Sequence, residues 1–183
     1  MASLIPPAGN HQKLLCYQKA KLVYALNNWF IENTDLCFKR TQEQMEHAAR
    51  SEKQNIVEGL NNYTTSKAGG IHLVNVAMGS LKELKEDYED FLLRHGLRQW
   101  DYTDRLFKRA QELGKENNSD ANLFIQKFES LTPEMIANII IVLIGQAIFL
   151  IGQFMKLLEK DLLENGGFRE NIYKYRKSQQ NHQ

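Results

Sequence analysis

The residues best placed to do chemistry in this chain lie between Thr41 and Leu60, where Arg50, Ser51, Asn55 and Glu58 gather on one side of a largely polar run. Ser51, Asn55 and Glu58 recur at i, i+4 and i+7, the spacing that stacks side chains on one helical face. A hydroxyl, an amide and a carboxylate aligned this way supply hydrogen-bond donors and acceptors, not a nucleophile with its base. One reading is a surface that touches the phosphates or base edges of RNA, or another polar partner. The other is a seam in which Asn55 and Glu58 meet Ser80 or Glu83 on the next helix and fix the register of the pair. Buried polar groups must be paired, so two facing stripes satisfy each other, and the seam is the expected arrangement.

Other reactive residue types are dispersed. His11, His47, His72, His95 and His182 form no HxxxH or HExxH pair, so a metal site would need a tertiary coincidence. Cys16 and Cys37 lack CxxC spacing. Cys16 stands in an apolar helical pattern and reads as core, and both thiols are expected to be reduced in a cytoplasmic protein. Gly69-Gly70 lacks the rest of a phosphate loop and reads as a helix-entry turn. Glu52 and Glu58 face different ways along their helix and give no support for a carboxylate pair. No serine or cysteine stands in a nucleophile motif. The expectation is a chain that is not an enzyme, with no metal and no cofactor.

Charge offers a second kind of site. The formal net charge is +1, but the first forty residues and the last eighteen each carry +3, leaving −5 for the stretch between. A near-neutral total excludes a protein that coats nucleic acid everywhere, yet two basic ends can serve one anionic partner if they meet in space. The candidate nucleic-acid contacts are Lys13, Lys19 and Lys21 near the start, with Arg169, Lys174, Arg176 and Lys177 in the tail. The tail cations interleave with Phe168, Tyr173 and Tyr175, a composition suited to phosphates and stacked bases. A tail that docks its rings on its own bundle has the same composition.

The elements that must hold these residues read as helices throughout. No run alternates apolar and polar residues long enough for a strand. A first helix is predicted from Lys13 to about Ile31. A second starts at the Thr41/Gln44 capping box and ends near residues 59–62. A third runs from about Ser66 to His95 and stops at Gly96. Two short amphipathic segments fall between Trp100 and Leu131, separated by a polar stretch, Gly114–Asp120, that reads as a mobile loop. Thr132-Pro133-Glu134 is a strong start for a last helix running to about Asn165. The fold expected is all-α: an antiparallel up-down four-helix bundle over residues 1–167, with two short helices inserted at about 100–131 and a basic C-terminal tail over 168–183.

Within the last helix, Ile136 to Met155 is long enough to cross a bilayer, which takes ~20 apolar residues. Asn138, Gln146 and Gln153 interrupt it, and Ile140, Ile144, Ala147, Ile151, Phe154 and Leu158 alternate spacings of four and three, as in a packed bundle. A buried bundle helix is therefore expected instead of a membrane span, with a neighbouring subunit helping to cover its apolar sides. Met1–Gln12 has neither the basic start nor the apolar core of a signal peptide.

Two motifs taken together suggest a family. Ala48–Gly59 (AARSEKQNIVEG) and Val76–Leu92 (VAMGSLKELKEDYEDFL) resemble the four-helix-bundle proteins encoded in intervening sequences of bacterial 23S ribosomal RNA genes, whose bundle is shared by the accessory variability proteins of diversity-generating retroelements. The matching positions are Arg50, Ser51, Asn55, Ile56, Glu58 and Gly59, then Ala77, Ser80, Glu83 and Leu84. The likeness covers Lys13 to Arg98 and resumes over residues 133–167. The inserted segment and the GGFRENIYKYR ending look like the variant described as a four-helix bundle with a suffix domain. The resemblance implies an antiparallel bundle assembled as a ring-like homo-oligomer, most often a pentamer, with a non-enzymatic role tied to RNA or a ribonucleoprotein. The alternative is a structural or protein–protein adaptor that makes no nucleic-acid contact. The chain is longer than that pattern and near neutral, so the retroelement activity is not carried over.

Overall fold

The computed structural model describes residues 10–35, 39–167 and 172, and every regular element in it is a helix. A 3-10 turn over His11–Lys13 leads into α1 (Leu15–Asn33). It is followed by α2 (Lys39–Tyr63), α3 (Lys67–Arg94), α4 (Arg105–Glu116), α5 (Ala121–Phe128) and α6 (Pro133–Asn165). The all-α class read from the sequence is therefore observed. Of the four long helices, α1 packs on α2 and α6, and α3 packs on α2 and α6.

Three of the helix ends are capped as their sequences require. The Ser66 hydroxyl accepts from the Gly69 amide at 3.2 Å at the start of α3, and the Thr132 hydroxyl from the Met135 amide at 3.3 Å at the start of α6. Gly96 takes φ 62° after α3, and the Leu97 amide folds back onto the Leu92 carbonyl at 2.8 Å. The second helix departs from expectation: it is already formed at Lys39, so Thr41 lies inside it and caps nothing.

Gly69-Gly70 is also not an entry turn, because Ser66 caps the helix and both glycines lie within its first turn. Gly70 instead lets α3 touch α2. A Cβ there would fall 2.6 Å from the Gly59 carbonyl oxygen and 2.8 Å from the Tyr63 Cα. Gly59 is complementary, since its own Cβ would meet Val74 Cγ2 at 2.7 Å. Two polar clusters tie three long helices each. Asn27 of α1, fully buried, donates to the Met45 carbonyl of α2 at 3.3 Å and accepts from the Tyr88 hydroxyl of α3 at 3.0 Å. The Tyr63 hydroxyl shares its proton between the Leu158 carbonyl at 2.7 Å and Asp161 at 2.8 Å, and Lys67 pairs with Asp161 at 2.6 Å.

The inserted segment covers the outer face of α6. Trp100, Ala110 and Val142 form a small core of their own, with Phe107, Met135 and Ile139 against it. Asn138 latches it: its oxygen accepts from the Trp100 amide at 2.7 Å, and its nitrogen donates to the Arg98 carbonyl at 2.8 Å and the Glu134 carbonyl at 2.9 Å. Gln146 repeats the device lower down, donating to the Gln111 carbonyl at 2.7 Å. Two of the amides that interrupt the apolar run are thus attachment points for the insertion, and the chain itself covers the upper outer face of α6. The loop expected over Gly114–Asp120 is shorter: α4 continues to Glu116, with Gly114 buried against Gln146 and Leu143, and residues 117–120 connect it to α5.

Candidate functional site

The polar stripe of α2 is only partly a seam. Ser51 and Ser80 meet, their hydroxyls 3.0 Å apart, and Asn55 donates to the Ser51 hydroxyl at 3.0 Å and the Ser51 carbonyl at 2.9 Å. Arg50, Glu58 and Glu83 are exposed and take no part, so the expected contact of Glu58 with α3 is not formed. A hydroxyl pair is enough to hold register while longer charged side chains stay hydrated.

Of the basic candidates, Lys13 is exposed at the end of the 3-10 turn and Lys21 on the N-terminal half of α1, and Arg169, Lys174, Arg176 and Lys177 lie outside the described residues. Lys19 is a correction. It is only 1% exposed and its ammonium donates to the Gly114 carbonyl at 2.5 Å, so it is not part of an exposed basic face with Lys13 and Lys21. The sequence carries the signal: Lys19 stands in the stripe Cys16, Ala20, Val23, Leu26 and Phe30 that α1 turns into the core. Burial pushes its pKa down to about 8. Sequence reasoning overlooked a different cationic surface. Arg105, Lys108, Arg109 and Lys115 are exposed on α4, and none makes an ion pair among the described residues.

Lys19 forms part of the floor of a groove of about 700 Å³ between α1, α4 and α6. Its apolar wall includes Leu15, Trp100, Phe107, Val142, Phe149 and Leu150. The polar lining includes Lys19, Lys85, Lys115 and Gln146, and no Asp or Glu. Gln146 spends its nitrogen on Gln111, and its oxygen is buried without a hydrogen-bond partner. The volume lies within the ~300–1,000 Å³ usual for small-molecule sites, as does the mix of apolar wall and few polar groups.

A second depression, between α2 and α3, has the opposite sign. Glu83, Glu86, Asp87, Glu89 and Asp90 line it beside Arg40 and His47. Burial, and then the neighbouring Asp90, Glu83 and Glu86, raise the pKa of Asp87 to about 6. Among the described residues no group of three or more His, Cys, Asp or Glu is placed to hold a metal ion. Two reactive types are sealed in the core. Cys16 is buried and its thiol pKa is pushed up to about 12 by desolvation. Glu52 is fully buried, and neither carboxyl oxygen has a partner. Its orientation away from Glu58 does not by itself reveal that burial. Glu52 lies in the apolar spacing Met45, Ala48, Ile56 and Leu60, which is the signal that places it inside.

Comparisons with protein-family models, with curated proteins and with solved structures find no match to this chain.

Proposed function

We propose that this chain is a non-catalytic, cytoplasmic adaptor: an antiparallel up-down four-helix bundle that self-associates and docks protein partners through the uncovered half of its last helix. Pairings between helices support the antiparallel order. Gly59 neighbours Val74 while Ser51 meets Ser80, and Lys67 pairs with Asp161 while Met78 lies beside Gly152.

The observation that carries the reading is the contrast between the two halves of α6. Its outward positions recur every three or four residues, and the insertion covers Asn138 and Val142. Below them Gly145 is exposed, Phe149 is 64% exposed and Leu163 is 85% exposed. On α3, Met78 lies beside Gly152, and Gly79 follows it, where an added Cβ would meet nothing within 4 Å. The helix is long and apolar enough to cross a membrane, but 56% of its most apolar window is buried inside the protein. A bare apolar strip beside small residues suits close packing of a second helix surface. The resemblance to the intervening-sequence family, with its ring-like and usually pentameric assembly, belongs to the same proposal.

Mass in solution tests it. The wild-type chain should run as a defined oligomer in analytical ultracentrifugation, and Gly152→Glu should dissociate it. The nearest atom to a Cβ at Gly152 is Met78 Cε at 3.8 Å, an ordinary contact, so the fold should tolerate the change. A monomeric wild type at tens of micromolar would overturn the proposal. RNA or ribonucleoprotein binding is a second reading, favoured by the exposed α4 cations, which make no ion pair among the described residues, and by exposed Lys13 and Lys21. It requires affinity for RNA that falls steeply with salt.

A further inference from the structure

The groove between α1, α4 and α6 is incomplete in charge. Lys19 has three donors and one recorded acceptor, the Gly114 carbonyl. Lys85 is matched by Glu89 at 2.9 Å, Lys115 has no carboxylate among the described residues, and none lines the groove. A buried charge is tolerated when an opposite charge or a full set of hydrogen bonds compensates it, and the described residues supply neither here. The groove is also incomplete in packing. Gly145 interrupts a strongly apolar helix, yet a Cβ there would meet nothing within 4 Å, so the chain's own contacts do not call for glycine.

We propose that this groove binds an amphipathic monocarboxylate. The carboxylate completes the Lys19 ammonium, with Lys115 at the rim. The hydrocarbon body lies along Trp100, Phe107, Val142 and Phe149 in the space above Gly145. One uncompensated buried cation beside an apolar wall selects a single negative head on an apolar chain, not a polyanion. The site shares Gly145 and Phe149 with the upper end of the bare α6 strip, whereas Gly152, whose substitution tests self-association, and Leu163 do not line the groove.

The probe is decanoate, titrated into the full chain by calorimetry and by Trp100 emission in a Trp29→Phe background, with 1-decanol as the uncharged control. Decanoate should bind saturably at one site per chain, with 1-decanol at least tenfold weaker. Lys19→Met should weaken decanoate at least tenfold and leave 1-decanol unchanged. Decanoate affinity should also fall as pH rises past about 8, where Lys19 gives up its proton. Lys85 and Lys115 are the other titratable groups facing the groove, and Lys115→Met should cost less than Lys19→Met. Gly145→Leu adds a good helix former in open space and should abolish both ligands while leaving the circular dichroism spectrum intact. Equal affinity for decanoate and 1-decanol, no effect of Lys19→Met, or undiminished binding by Gly145→Leu would each overturn the proposal, as would absence of saturable binding. If Lys19→Met does not fold, the decanol comparison and Gly145→Leu still decide.

Discussion

Exchanging Glu52 for glutamine should flatten the pH dependence of this protein's stability above pH 6. The carboxyl is fully buried with neither oxygen hydrogen-bonded, and burial holds its pKa well above the ordinary carboxylate value against a weaker opposing pull from Lys53. In the unfolded chain it titrates near ~4.3. Above that pH the unfolded state gives up the proton and the folded state keeps it, so the unfolded state binds fewer protons. Stability then falls by about 1.4 kcal/mol per pH unit until the folded pKa is passed. Asp87 acts in the same direction, but its window closes near its folded pKa of about 6. Lys19, depressed to about 8, acts in the opposite direction near that pH in both proteins. Urea midpoints at pH 5, 6, 7 and 8, taken as the difference between wild type and Glu52→Gln, isolate the Glu52 contribution. Wild type should lose more stability than Glu52→Gln as pH rises, because only wild type carries the carboxyl whose pKa burial raises. Glu52→Leu should also be more stable than wild type at pH 7, because it removes buried polar atoms that each cost ~1–3 kcal/mol when unsatisfied. Parallel wild-type and Glu52→Gln curves above pH 6 would refute the reasoning, because they would mean that the carboxyl is hydrated or paired in solution.

Glycine substitutions should split by sign. Gly70→Ala drives a Cβ to 2.6 Å from a backbone oxygen and should cost at least ~1–3 kcal/mol, whereas Gly79→Ala meets nothing and should gain up to ~1 kcal/mol, both read as shifts in thermal midpoint. Asn138→Leu should release the insertion: the Trp100 amide loses its acceptor, costing ~1–3 kcal/mol, and hydrogen exchange should rise across residues 98–116 before it rises in α2 or α3.

Most of the helical architecture was legible because its signals are local. Ser66 and Thr132 announce helix starts, Gly96 a stop, and the three-and-four spacing of Ile140, Ile144, Ala147 and Ile151 a buried face. The Thr41/Gln44 pattern failed because a capping box needs its threonine outside helical backbone, and here the helix begins two residues earlier. The candidate site was less legible. Lys19 and Glu52 carry charges that suggest the surface, yet each stands at a core position of its helix. The helical period outweighed the cost of burying them, which showed up as a depressed lysine pKa and an elevated carboxyl pKa.

The sequence by itself determined that the chain is all-helical, where most of its helices begin and end, which face of each is apolar, and that no residues adjacent in the chain form a reactive motif. These properties follow from interactions within a few residues of each other: caps, periodicity and backbone preference. Only the tertiary structure decided that Asn138 and Gln146 hold the insertion onto α6, that Gly59 and Gly70 bring two helices together, and that Lys19 meets Gly114 across ninety-five positions of chain. Those contacts depend on which apolar faces pack together, and that choice rests on the shape and volume of the whole core, which local spacing does not encode.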